Sequence, residues 1–409
     1  MADSNELRDR AKRALTRPAT FGEDLDLDRY TFKPTEPQRL TVEDLSDEDR
    51  RLVEEVGFNP EGRDVAGSYI QFDNESFLAD VFIKQEGLEV LPTRVALERY
   101  DWLHDYLWRA VPVDADKYTA LSELREYDGY FIRAHEGQSI QMPVQTCLVI
   151  KRGKSIQNVH NIVIAEPGSE LHIVTGCATP SHVERSLHLG VSEFYIKRGA
   201  RLTFTMVHKW NEAVDVRPRT GVVVERNGIY VSSYAILSPV RSLQTYPKVR
   251  LIGRNARADL YTVVYGVGRS RYDVGGLLSL EAPGTRGKVV SRTIAKDQSE
   301  VTARGELSGQ VSGVRARLEC NGLLLSEEAR IRAVPILDAS AEGVELSHEA
   351  TVGKVGADQL NYLMSRGLTE DEATSLIVRG FMHLKAPDLP PSLQRAIDEA
   401  VQMTLEKGL

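Results

Sequence analysis

Three cysteines, Cys147, Cys177 and Cys320, are the residues of this chain best suited to redox or metal chemistry. Three is a poor number for a disulfide framework. It is also too few for the four thiolates of a closed zinc or iron–sulfur site. In 170–178 (ELHIVTGCA), Leu171, Ile173, Thr175 and Cys177 share one side of a strand of period two, so the Cys177 thiol should point into a core. In 201–210 (RLTFTMVHKW), His208 and Trp210 fall on the side of Leu202, Phe204 and Met206, where an imidazole and an indole both need hydrogen-bond partners. Cys320 closes the alternating run 314–320 (VRARLEC), and His348 and Glu349 follow 28 residues on, in Leu346-Ser347-His348-Glu349. Cysteine, histidine and glutamate suit iron or zinc, but this is half a site, which a second copy across a two-fold axis would complete. The plainer reading is structural in every case: a small buried hydrophobe, a satisfied polar pair in a core, and a lone cysteine and histidine.

Other chemistry is missing. There is no G-x-x-x-x-G-K-[ST], so the chain should not hydrolyse nucleotide by itself, and there is no H-E-x-x-H or G-x-S-x-G. With 51 basic against 59 acidic residues and a net charge of −8, coating nucleic acid or an anionic membrane is not its main task. No run of about 18 apolar residues occurs, and the polar start MADSNELRDR lacks the apolar centre of a signal peptide, so no membrane span is expected and the cytoplasm is the expected compartment.

The elements that must position these residues change type along the chain. From about 130 to 352, short Val/Ile/Leu/Tyr-rich runs alternate with turn residues, and helical periodicity nearly vanishes. The turns Gly168, Gly199, Gly228, Asn255 and Gly284 recur at intervals of 27–31 residues. A short block that cannot close its own core, repeated without helical crossovers, reads as a β-helix; a β-sandwich with evenly spaced turns is the alternative.

Both ends read as helical. Ser46 is an N-cap before Asp47 and Glu48, with Gly57 as the stop, and a second helix is expected from Thr93 through Trp102 to Trp108. The segment 16–37 reads as a loop or extended arm. After Val352, a helix over 358–366 ends at Gly367, and Thr369 to Glu372 forms a capping box. The helix behind it places Ala373, Leu376, Ile377, Gly380 and Phe381 on one stripe. A last helix from Ser392 follows Pro387, Pro390 and Pro391.

Several of these segments resemble the SufB/SufD family of iron–sulfur cluster assembly scaffolds. The resemblance spans 128–381 and rests on DGYFI at 128–132, IVIAEPGS at 162–169, GCATP at 176–180, Cys320, SHEATVG at 347–353, YLMSRGL at 362–368, and the helix from Glu372 to Phe381. It implies a right-handed parallel β-helix flanked by N-terminal and C-terminal helical regions, divided as 1–130, 131–353 and 354–409. The last region would dock SufC, an ABC-type ATPase. It implies that Cys177 accepts persulfide sulfur, and that Cys320 with His348 and Glu349 holds a nascent iron–sulfur cluster of unspecified type at a dimer interface. His208, Trp210 and Arg226 would line the internal sulfur path. His208 stands where the family carries glutamine and Arg226 near an expected lysine, exchanges that keep hydrogen-bonding or cationic character.

The cysteine pair and Glu349 make the chain SufB-like, and its length is nearer the archaeal members. The implied partners are SufC, a second copy or a SufD-like subunit, a sulfur donor protein and apo-protein recipients, with a reduced flavin as a further cofactor. The chain would then be a scaffold, not an enzyme. Two alternatives remain: a SufD-like subunit that binds SufC without accepting sulfur, and a β-helix carbohydrate-active enzyme, which would need paired carboxylates on an exposed face.

Overall fold

A computed structural model describes residues 4–32, 44–80 and 87–382. Helices α1 (Ser4–Ala14) and α2 (Asp47–Glu54) lead into the hairpin β1 (Gly67–Phe72) and β2 (Glu75–Asp80), then β3 (Leu88–Pro92), α3 (Thr93–Arg99) and α4 (Lys117–Leu124). A β-solenoid of about eight coils follows. Each coil contributes to a back sheet and then to a front sheet, in the order β4 (Tyr130–Ala134), β5 (Val144–Val149), β6 (Ile156–Ala165), β7 (Glu170–Ala178), β8 (Ser186–Ile196) and β9 (Arg201–Lys209). In the next three coils the back strand is split: β10 (Val214–Val216), β11 (Arg219–Val224) and β12 (Ile229–Ile236); β13 (Ser242–Thr245), β14 (Lys248–Leu251) and β15 (Arg257–Gly266); β16 (Arg271–Val274), β17 (Leu277–Leu280) and β18 (Arg286–Ala295). The last coils are β19 (Glu300–Gly309) with β20 (Arg315–Leu324), and β21 (Arg330–Ala339) with β22 (Glu345–Lys354). Coil-to-coil pairing is parallel throughout; β1–β2 and β3–β4 are antiparallel and close the first end of the two sheets. The repeated turns thus belong to a solenoid, and the sandwich alternative falls.

One corner shows how the sequence dictates the coil. Gly137, Gly168, Gly199, Asn227, Asn255, Gly284, Gly313 and Gly343 all take φ between 56° and 77°, where a side chain is strained and only glycine and asparagine sit readily. From Gly137 to Gly313 the backbone N–H of each donates to a carbonyl in the next coil's turn at 2.9–3.2 Å, so the corner is a hydrogen-bonded ladder. Asn227, not the expected Gly228, takes the left-handed position in its coil. Between the sheets, alternate residues form one continuous core that includes Ile173, Phe194, Leu202, Tyr230, Leu260, Val289 and Leu318. Burying each such side chain stabilises by about 1.5–3 kcal/mol.

The splits in the back strands fall at Arg217-Pro218, Tyr246-Pro247 and Gly275-Gly276. Proline cannot donate to a ladder, which interrupts the first two, and at the third Gly275 lies so close to the Arg304 backbone that a side chain would not fit. The irregular arm after α1 lies at these splits: Phe21 packs on Tyr246 with ring centroids 4.8 Å apart, and Arg217 donates to the Glu23 carbonyl at 3.0 Å. The expected helix from Thr93 to Trp108 is corrected. It breaks at Tyr100, and Trp108 takes φ 57°. Past the break, Glu193 on the outer side of β8 holds the chain in its non-helical course. Fully buried, it accepts from the backbone N–H groups of Trp108 (2.5 Å), Ala110 (2.6 Å) and Val111 (3.1 Å) and meets His160 Nε2 at 2.9 Å. A helix continued through Trp108 would spend these three N–H groups on its own backbone carbonyls instead.

Ser46 caps α2, accepting from Asp49 N at 3.1 Å. Val53 and Val56 then pack with Phe58 over Cys147, Val149 and Ala178 on the outside of the front sheet. After the solenoid, α5 (Ala357–Ser365) and α6 (Glu370–Met382) fold back. Thr369 and Glu372 form the expected capping box, at 2.8 and 3.3 Å. The packed stripe of α6 keeps Ala373, Ile377 and Phe381 of the expected one, the last two partly buried, and is turned toward Val378 and Met382. Ala373, Val378 and Met382 are buried, Val378 and Met382 beneath Tyr261, Val263 and Leu323, while Leu376 is exposed. The expected helix from Ser392 lies outside the described residues.

Candidate functional site

Cys177 projects from β7 into the space between the sheets. In register it faces Leu148 on β5 and His208 on β9. It is fully buried, and burial pushes its thiol well above the ordinary range, with Cys147 on the next strand adding to the shift. Cys147 itself faces the opposite way, into the cluster under α2. Cys177 also lies close enough to Tyr130 and Tyr234 to couple electrostatically to both phenols.

His208 is the hub of the lumen. Its Nδ1 accepts from the Trp210 indole N–H at 3.2 Å and from the Tyr234 hydroxyl at 3.1 Å. Indole can only donate, so the imidazole proton sits on Nε2, which faces Met206 Sδ at 2.9 Å. Burial, reinforced by His188, holds His208 well below the usual imidazole range. His188 comes from β8 across the lumen, its ring 5.1 Å from that of Trp210 and its Nδ1 2.8 Å from Gln157 Oε1. Burial pushes His188 down to about 3. The environment therefore keeps both rings neutral.

Beyond this hub one register position carries a heteroatom on every front strand. Thr175, Met206, Tyr234, Thr262, Ser291 and Cys320 face one another in sequence from β7 to β20. Met206, Tyr234 and Thr262 keep accessible surface although they point inward, so the lumen is not packed solid at these coils. Five strand spacings separate Cys177 from Cys320, about 25 Å. Cys320 is buried beside Ser291, and burial raises its thiol.

Cys320 and His348 are diagonal neighbours on the inner side of β20 and β22, Cys320 opposite Ala350 and His348 opposite Leu318. Glu349 is on the other face, where its carboxylate meets Arg317 at 2.5 Å. Within one chain it does not join Cys320 and His348. Arg226 is not brought to the lumen either. It stands exposed in the corner ladder, two residues past the end of β11, and offers its carbonyl to Gly199 N. Among the described residues no group of three or more His, Cys, Asp and Glu gathers. His188, Tyr130 and Tyr234 were not anticipated. The signal for His188 was readable: Gly190 lies two residues on along the same face, and a side chain there would strike the His188 ring.

Both last strands lie open. The outer edges of β21 and β22 are unpaired among the described residues, and Ile336, Leu337 and Val352 are exposed there. Tyr362 and Met364 on α5 and Leu376 on α6 are exposed as well.

Residues 148–381 match the family model of the SUF system FeS cluster assembly SufBD core domain. A SufBD family protein of Methanothermobacter thermautotrophicus is 44% identical over 406 residues, 98% of each chain. The chain belongs to the SufBD family. An Archaeoglobus fulgidus SufBD protein is 41% identical over 87% of this chain and 95% of its own. One from Staphylococcus epidermidis is 27% identical over 94% and 84%. SufBD proteins serve iron–sulfur cluster assembly, and the β-solenoid with helices at both ends is the architecture expected from the resemblance. No described helix is long and apolar enough to cross a membrane.

Proposed function

We propose that this chain is the SufB-like scaffold subunit of a cytoplasmic iron–sulfur cluster assembly machine. Sulfur arrives as a persulfide on Cys177, travels inside the lumen past His208 and Trp210, and reaches Cys320. There, with His348 or Glu349 of a second copy or of a SufD-like subunit, it joins iron in a nascent cluster. Arg226, outside the lumen, takes no part. The observation that carries this reading is the file of heteroatoms from Thr175 to Cys320, running beside residual space between the two sheets.

A bare thiol is a poor nucleophile while protonated, and the fold protonates Cys177 by burial. His208, neutral and directly opposite in register, has its Nδ1 occupied by Trp210 and Tyr234, so it lines the path as a polar ring and does not deprotonate the thiol. Cys320 and His348 supply half a ligand set, and the unpaired, partly apolar final coil is the natural face for the other half. The exposed side of α5 and α6 is the proposed dock for SufC, whose ATP-driven movement would open that face as a rigid-body rotation. A SufD-like role without sulfur acceptance is the second reading; the paired Cys177 and Cys320 favour the first.

Anaerobic reconstitution of the chain with SufC tests the assignment. The wild-type complex should gain visible charge-transfer absorption with bound iron and sulfide, and Cys320→Ala should lose them while still binding SufC. Full absorption from Cys320→Ala would remove Cys320 from the ligand set.

A further inference from the structure

A groove of about 750 Å³ crosses the outer face of the front sheet from β15 to β22, beyond the area that α6 covers. Its lining includes Arg257, Arg286, Lys288, Arg315 and Arg317. Against these five cations stand two carboxylates, Asp259 and Glu345, in a chain whose net charge is −8.

The register makes the arrangement costly. Arg257 faces Arg286, Arg286 faces Arg315, and Lys288 faces Arg317, each pair on adjacent strands. Like charges directly opposite in a sheet destabilise it. Some of this charge is compensated: Arg257 pairs with Asp259 at 2.6 Å, and Arg317 with Glu319 at 2.8 Å and with Glu349. The exposed side chains of Arg286 and Arg315 make no ion pair or side-chain hydrogen bond among the described residues. Two guanidinium groups without a salt bridge face each other on adjacent strands of a concave surface of ligand size, and Glu345 stands opposite Arg315 on the following strand. A planar fork of donors suits phosphate oxygens, and two forks about 4.8 Å apart suit linked phosphates better than one.

We propose that this groove binds a small molecule carrying a diphosphate unit, with Arg286 and Arg315 as its principal contacts. The groove spans three strand spacings, about 14 Å, and the chain as a whole carries a net charge of −8, so an extended nucleic acid is disfavoured. The proposal is independent of the cluster chemistry, since the groove and Cys320 lie on opposite faces of β20.

Titration calorimetry on the full chain at low salt tests it, using inorganic diphosphate and ADP, with sulfate at matched ionic strength as the control. Saturable one-to-one binding of diphosphate is expected. It should weaken at least tenfold in Arg286→Gln/Arg315→Gln, and by an intermediate factor in Arg286→Gln alone. The ligand-free double variant should melt no lower than wild type, because removing the facing charges relieves repulsion. Tighter binding of ADP identifies a nucleotide as the source of the diphosphate, and equal binding identifies the free anion. Absence of diphosphate binding, an unchanged affinity in both variants, or an equal effect of sulfate would overturn the proposal.

Discussion

Trp210 donates its indole N–H to Nδ1 of His208 across 3.2 Å, and so decides which imidazole nitrogen keeps the proton. That bond, with the one from Tyr234, leaves Nε2–H as the ring's only donor, turned toward sulfur. The relationship ties a residue just past the end of β9 to the chemistry of the strand itself.

The two neutral histidines make stability depend on pH. His208 is held well below, and His188 down to about 3, by burial. In the unfolded chain an imidazole takes a proton near pH 6.5. Below that pH the unfolded state binds more protons than the folded one, so stability falls as pH is lowered. Each ring should contribute a loss of about 1.4 kcal/mol per pH unit below pH 6.5. Urea denaturation between pH 7.5 and 4.5 should show His188→Gln with a slope shallower by about one proton. An unchanged slope would mean that His188 titrates normally in the fold.

Cys177 should resist modification. Its burial and raised thiol predict alkylation by iodoacetamide at pH 8 at least a hundredfold slower than in urea. Mass spectrometry of the labelled peptide checks this. Cys177→Ser should also abolish persulfide labelling by a sulfur donor, and undiminished labelling would move the acceptor role to another residue.

Glu193 should be worth more than its place outside the lumen suggests. It satisfies three backbone donors and His160 in a dry site. Glu193→Ala leaves those donors without a partner and should cost about 3–5 kcal/mol. Chemical denaturation measures the cost, and proteolysis should cut first near Trp108. A variant as stable as wild type would show that this carboxylate does not pin the N-terminal region.

If the final coil is the proposed interface, charge placed on it should separate the copies. Ile336→Glu with Val352→Glu should convert a dimer to a monomer in light scattering while circular dichroism stays unchanged. A variant that remains dimeric would place the interface elsewhere.

The coil was legible because its turns demand left-handed backbone, which glycine and asparagine announce in the sequence at regular intervals. The inward direction of Cys177, His208 and Trp210 followed from alternation alone. Other features were not legible, because they depend on pairing between distant segments. The non-helical course at Trp108 is held by Glu193, 85 residues later, and no local propensity signals it. Glu349 follows His348 in sequence, yet in a strand this puts the two on opposite faces, a consequence of the same alternation that was not applied to them. Arg226 lies past a strand end, where period two no longer assigns a face. The rotated stripe of α6 reflects the shape of the sheet it covers, with Val378 preferred over Leu376.

The corner ladder constrains how such a chain can change its length. Each rung is locked to the one above and the one below, yet successive rungs stand 28 to 31 residues apart, so a residue gained or lost between corners is taken up within its own coil and the later rungs keep step. The solenoid itself becomes longer or shorter only by a whole coil of about thirty residues. Any lengthened or shortened version would then keep its two ends intact and differ in how far apart they stand.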